Sequence, residues 1–177
     1  MSITLPYLTP TETEFPDTDL ALDEPNGLLC YGAALTETHL LSAYRRGIFP
    51  WFNEGDPILW WSPNPRLICY PNKLHCARSL KKLAKKVNYH IRFNQQFQHV
   101  MHHCAFSRQE TWISEAMVDA YTSLHQSGIA HSVEVWSDNE LVGGLYGLQI
   151  GRVFYGESMF SKTNSASKFA FTALCKL

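Results

Sequence analysis

The sequence predicts an α+β fold in two units, and three features point that way. Residues 131–160 alternate with the period of two expected of strands and are interrupted only by short turns. Residues 74–105 and 114–128 place apolar side chains at helical spacing. Between the polar N-terminal part and these elements lies residues 48–72, where prolines at 50, 57, 63, 65 and 71 exclude long regular structure. The expected boundary falls near Ser62, giving a small N-terminal domain with its connector (1–62) and a larger domain (63–177). At 177 residues and 45% hydrophobic, the chain can bury one good core, or one core and a small satellite.

The first thirty residues are acidic and proline-punctuated, and "EPNG" at 24–27 reads as a turn. Thr36 is a suitable N-cap for a helix whose face is Leu40, Leu41 and Tyr44 and whose end is marked by Gly47. The stretch "LHCARSLKKLAKKV" at 74–87 predicts an amphipathic helix buried through Leu80, Leu83, Ala84 and Val87. At 100° per residue, Arg78, Lys81, Lys82, Lys85 and Lys86 fall on the opposite side as one basic stripe. "YHIRF" at 89–93 reads as a strand, 94–105 as a helix, and Ser114 caps a further helix ending at Gly128. Three strands follow at 131–136, 141–150 and 152–160, joined closely enough for antiparallel hairpins. A last helix occupies 165–177, with Phe169, Ala173 and Leu174 on an apolar face.

Composition narrows the class. No stretch reaches the roughly 18–20 apolar residues of a membrane span, and the start lacks a basic-then-apolar leader, so a cytoplasmic location without membrane association is expected. Cys30, Cys69, Cys76, Cys104 and Cys175 are scattered, with no C-x-x-C pair; reduced, mostly buried thiols are expected rather than disulfides or zinc. The formal net charge of −1 hides an acidic segment, Glu12 to Glu24, and the basic stripe.

Several features bear on chemistry. A lysine-rich helix is commonly a solvated face, but stacking rings beside a phosphate grip suit unpaired nucleotides. Residues 45–66 hold three of the five tryptophans; Trp51 is the candidate stacking ring, whereas Trp60 and Trp61 are expected to pack between the domains. His99, His102 and His103 share a helical face, yet no acid or thiol sits at ligand spacing, and a solvated triplet is expected. In "GESMFS" at 156–161, strict alternation would put Glu157 on one side with Tyr155, Met159 and Ser161. A carboxylate there calls for a cationic partner or ligand. Three glycines in "VGGLYG" at 142–147 indicate either a bulge or a close approach to the strand backbone.

Taken in order, "GLLCYG" at 27–32, "AYRRGIFPWF" at 43–52, "DPILWWSPNPR" at 56–66, "TWI" at 111–113, "AHSVEVW" at 130–136, "LVGGLYG" at 141–147 and "GESMFS" with "SASK" at 156–168 resemble the leucyl/phenylalanyl-tRNA–protein transferase family. The resemblance implies an enzyme that moves leucine or phenylalanine from aminoacyl-tRNA to an N-terminal Arg or Lys of a protein, marking it for N-end-rule degradation. It also implies a larger domain of the acetyltransferase-like, mixed-sheet type, and no metal or nucleotide cofactor. Trp51 matches the position that stacks on the terminal adenosine. Trp112 and Tyr121 match residues around that adenosine and its aminoacyl group. Phe154, Met159 and the position of Leu174 match the side-chain pocket, and Leu145 stands where many relatives have methionine. Glu157 matches a carboxylate that orients the substrate's α-amino group, and the five basic residues match a tRNA-contacting helix. Members of the family continue past the last helix into strands bearing an Asp-x-Gln element, so a C-terminal part of the sheet domain is expected to be missing. The alternatives are a catalytically impaired tRNA-binding form and a coenzyme A-dependent acetyltransferase. The latter is disfavoured because no Q/R-x-x-G-x-G/A loop precedes the last helix.

Overall fold

The computed structural model describes residues 5–106 and 111–177. The chain divides into two units, Met1–Leu67 with Ser114–Ala120, and Ile68–Ile113 with Tyr121–Leu177. Both are mixed α+β.

In the first unit, β1 (Tyr7–Leu8), β2 (Leu28–Gly32), β3 (Phe49–Pro50) and β4 (Leu59–Trp61) form a sheet in the order β1-β2-β4-β3. β1 runs parallel to β2 and the other pairs are antiparallel. From the sequence much of this region reads as connector, because strands of two to five residues are too short for a periodicity to show. Pro50 lies on the outer strand β3, where a missing backbone donor is tolerated. α1 (Glu37–Tyr44) starts where expected, with the Thr36 side chain accepting from the His39 amide, and Gly47 adopts a left-handed φ of 75° beyond its end. Trp60 is fully buried, stands edge-on to Phe15 at 4.7 Å, and donates from its indole nitrogen to the Gly32 carbonyl at 3.0 Å. It is core of this unit, not packing between domains. Arg46 helps close that core by donating to the carbonyls of Phe15 and Pro16.

The second unit is built on β5 (Tyr89–Phe93), β6 (Ala130–Ser137), β7 (Glu140–Ile150) and β8 (Val153–Ser161), adjacent in that order. Among the described residues the strands of this sheet all pair antiparallel. Two-residue connections, Asp138-Asn139 and Gly151-Arg152, leave β6, β7 and β8 no other pairing. α5 (Ala166–Leu174) covers one face, where Ala166 and Ala170 pack with Val133, Val135, Val142 and Leu145. A side chain on Gly143 would collide with Ala166, so that glycine lets the helix lie against the strand. The strand glycines thus serve close packing within the protein.

The opposite face receives α3 (Phe97–Phe106) and the C-terminal half of α4 (Glu115–Gln126). Phe97 stacks on His125 at 4.4 Å and stands edge-on to Tyr146 at 5.9 Å. α4 begins with the Ser114 hydroxyl accepting from the Met117 amide, and Gly128 follows it in a left-handed conformation. His103 lies 4.8 Å from the Phe160 ring and His102 stacks on Phe106, so of the three histidines only His99 is exposed. Among the described residues no group of histidine, cysteine, aspartate and glutamate is arranged to hold a metal.

Two expectations need correction. The basic helix α2 spans only Arg78–Ala84, with Lys85 at its C-cap and Lys86 beyond it. No side chain caps its start, the 3₁₀ turn Pro71–Lys73 precedes it, and like charges at Lys81/Lys85 and Lys82/Lys86 oppose its extension. None of its residues is fully buried. Among the described residues no disulfide joins the cysteines, and only Cys30 and Cys104 are buried; burial pushes the Cys30 thiol up to about 12.

The sheet and α3 are joined by Glu134, a fully buried carboxylate on β6. Its Oε1 accepts from the amides of Gln95 (2.9 Å) and Gln96 (2.7 Å), just ahead of α3, and from the Ser132 hydroxyl (2.9 Å). Its Oε2 accepts from the Trp136 indole at 3.1 Å. One side chain therefore caps a helix from a neighbouring strand, where the helix dipole also favours negative charge. Replacing Glu134 by alanine would take the shared acceptor from all four donors, and we predict a loss of about 3 kcal/mol in urea unfolding; a loss below about 1 kcal/mol would refute the capping role.

Burial lowers the pKa of both His103 and His131, with nearby cationic and imidazole charge adding to it. An unfolded histidine titrates near 6.5, so below that pH the unfolded chain takes up more protons than the folded one. Stability should thus fall as pH drops from about 7 through about 6.5 and onward to the depressed folded values. Melting temperatures between pH 7.5 and 5.5 test this, and the slope should flatten in an H103N/H131N variant.

Candidate functional site

The central feature of the candidate site is a one-residue irregularity in β8. Met159 pairs with Leu145 and Ser158 with Tyr146, but Gly147 pairs with Gly156, leaving Glu157 as the extra residue of a bulge. Its consequence is a change of face. Tyr155 pairs with Leu148 and shares the side of Tyr146, whereas Met159 shares the side of Leu145. Tyr155 and Met159 therefore point to opposite faces, and the strict alternation expected from the sequence fails at Glu157. The Glu157 carboxylate instead meets the hydroxyl of Tyr121 on α4, which donates to Oε2 in a long hydrogen bond of 3.5 Å. Tyr121 is fully buried and stands edge-on to Tyr146, with ring centroids 5.9 Å apart, so its hydroxyl is held by packing. One partner of Glu157 is thus a phenol hydroxyl.

The pocket residues divide around this bulge. Leu145 belongs to the core beneath α5, with Phe154 and Leu174 packed against it. Met159 lies opposite Leu145 and is 44% exposed. These four form the apolar set on the α5 face; Tyr121 and Glu157 form the polar set on the other. β8 is the last strand in the sheet order, so both sets border one sheet edge. Gly147 contributes by having no side chain, since an added Cβ would come within 2.6 Å of the Phe154 ring.

The remaining candidates lie on other elements. Trp112 is half-buried in the segment before α4. Trp51, in the first unit, is 49% exposed. Trp61 stands edge-on to it at 5.4 Å and donates to the Trp51 carbonyl at 2.7 Å. Trp61 thus braces Trp51, which remains half exposed. The five basic residues Arg78, Lys81, Lys82, Lys85 and Lys86 are exposed on and after α2.

Comparison with known families decides what this arrangement belongs to. Residues 68–177 match the family model described as leucyl/phenylalanyl-tRNA protein transferase, and residues 33–64 match that of its N-terminal domain. The chain belongs to the leucyl/phenylalanyl-tRNA protein transferase family. Among proteins of that name, it is 55% identical to one from Cellvibrio japonicus over 97% of this chain and 74% of the relative. It is 58% identical to one from Hydrogenovibrio crunogenus over 92% of this chain and 65% of the relative. A third, from Pectobacterium carotovorum, is 53% identical over 94% of this chain and 71% of the relative. The chain therefore spans between about two thirds and three quarters of the length of these transferases.

The packing around the bulge yields a prediction. Gly147→Ala must displace both the Phe154 ring and the β8 backbone at Tyr155, and should destabilise the protein by about 1–3 kcal/mol. Urea unfolding measures the cost. An unchanged midpoint would show that Phe154 is not held where the strand pairing puts it.

Proposed function

We propose that this protein is an aminoacyltransferase that moves leucine or phenylalanine from aminoacyl-tRNA to the N-terminal Arg or Lys of acceptor proteins, marking them for N-end-rule degradation. The observation that carries this reading is the match of both parts of the chain to one transferase family. The bulge that brings Glu157 to Tyr121 supports it, because bulges recur beside active sites, where they re-aim a side chain. An antiparallel sheet with helices on both faces is compatible with an acetyltransferase-like architecture for the larger unit. The described helices include none long and apolar enough to cross a membrane, and a cytosolic location follows from the proposed substrate.

In this reading the ester of the aminoacyl-tRNA is already activated. The acceptor's amine nitrogen attacks the ester carbonyl, a C–N amide bond forms, the C–O ester bond breaks, and the terminal ribose hydroxyl leaves carrying a proton in place of the one the amine gives up. An α-amino group titrates near roughly 8, so a useful fraction is neutral at physiological pH, and proximity supplies much of the acceleration. Glu157, oriented by Tyr121, holds a substrate α-ammonium group. Leu145, Phe154, Met159 and Leu174 receive the leucine or phenylalanine side chain. Trp51, braced by Trp61, stacks on the terminal adenosine with Trp112 and Tyr121 beside the aminoacyl group. Arg78, Lys81, Lys82, Lys85 and Lys86 contact tRNA phosphates.

The test is transfer of labelled leucine from its tRNA to a protein beginning with Arg, compared with one beginning with Gly. Transfer to the first alone is expected. Trp51→Ala should weaken aminoacyl-tRNA binding by about 1–3 kcal/mol, the scale of one base stack. Binding of tRNA without any transfer would refute the enzymatic reading, and an unchanged W51A variant would refute the stacking role.

A further inference from the structure

Two cysteines far apart in the chain meet within the second unit. Cys69 is exposed in the irregular stretch ahead of the turn Pro71–Lys73, and Cys175 is half-buried at the C-cap of α5. The Cys175 thiol hydrogen-bonds the Cys69 side chain. The packing around them agrees with this contact. Leu74, His75 and Cys76, just beyond Cys69, line one groove together with Phe171 and Thr172 of α5. Phe171 stands one helical turn before Cys175 on the same side of the helix, and its carbonyl accepts from the Cys175 amide at 3.1 Å. The last turn of α5 therefore faces the segment that carries Cys69. Burial, and after it the neighbouring Cys69, raise the Cys175 thiol above its ordinary value, so Cys175 is held protonated beside the more accessible sulfur.

We infer that Cys69 and Cys175 form a reversible disulfide, a redox-sensitive clasp between the first residues of the second unit and the end of α5. The oxidant is a low-molecular-weight disulfide such as oxidised glutathione. The exposed Cys69 attacks it as a thiolate, a mixed disulfide forms at Cys69, and one glutathione thiolate leaves. Cys175 then gives up its proton to solvent, its sulfur attacks Sγ of Cys69, and the second glutathione thiolate leaves. Two protein thiols are thus oxidised while one glutathione disulfide is reduced to two thiols. A disulfide requires Cα atoms about 4.4–6.8 Å apart. The backbone at Cys69 is free to meet that requirement, because it belongs to no helix or strand and its neighbours Leu67, Ile68 and Tyr70 are exposed. The bond closes a loop of roughly a hundred residues that contains β5 to β8, and a loop of that size restricts the unfolded chain strongly.

The full chain incubated with oxidised glutathione, followed by mass spectrometry of its unreduced peptides, tests the assignment. A Cys69–Cys175 peptide pair is expected, with a melting temperature about 5–15 °C above that measured in dithiothreitol. Cys69→Ser lies at an exposed position, and this variant should lose both the pair and the gain while melting like the parent in dithiothreitol. The clasp is refuted if the two cysteines remain thiols or carry separate glutathione adducts, or if Cys175 pairs with Cys76, which lines the adjacent groove. A gain in melting temperature that persists in C69S would overturn it as well.

Discussion

A buried carboxylate is tolerable only when fixed donors surround it, and Glu134 meets that condition with two backbone amides, a hydroxyl and an indole. The arrangement ties β6 to the start of α3. With α3 in place, Phe97 reaches His125 and Tyr146, and Tyr146 in turn packs against Tyr121. The orientation of the Tyr121 hydroxyl toward Glu157 is therefore the far end of a chain of packed rings that begins at a helix cap. Disturbing Glu134 would be felt at the candidate site without any direct contact to it.

The site itself depends on one inserted residue. Had β8 paired without the bulge, Glu157 would have followed Met159 to the α5 face, into the cluster around Leu145, where a carboxylate would be costly to bury. The bulge separates an apolar side, suited to a leucine or phenylalanine side chain, from a polar side suited to an ammonium group. Both remain within reach of one sheet edge. That division is a physical consequence of a glutamate two residues from a methionine across a bulge in this strand.

Much of the second unit was legible in the sequence. The three long strands, their two-residue turns, α3 and α4 carry strong periodicity and the residues that start and stop such elements. The small sheet of the first unit was not, because its strands are too short to show a period and two of them lie among prolines. The tryptophans show the same limit. Trp60 and Trp61 are adjacent and identical in type, yet one is core and the other a brace for Trp51, a difference set by which side of β4 each occupies. Glu134 was overlooked because a charged residue in an alternating strand ordinarily marks the solvent side. Its burial depends on amides supplied from residues 95 and 96, far away in sequence.

By itself, then, the sequence determined the α+β class, the hairpins of the larger sheet, the position of the basic segment and, through several ordered blocks of uncommon residues, the family. These are properties of local propensity and of residue identity, and they survive without knowledge of contacts. Only the tertiary structure decided the face on which Glu157 lies, the partner it meets, the shortness of α2 and the approach of Cys69 to Cys175. Each of these depends on strand register or on residues distant in the chain meeting in space, and a one-residue shift in register, which sequence periodicity does not reveal, is enough to reverse a side chain.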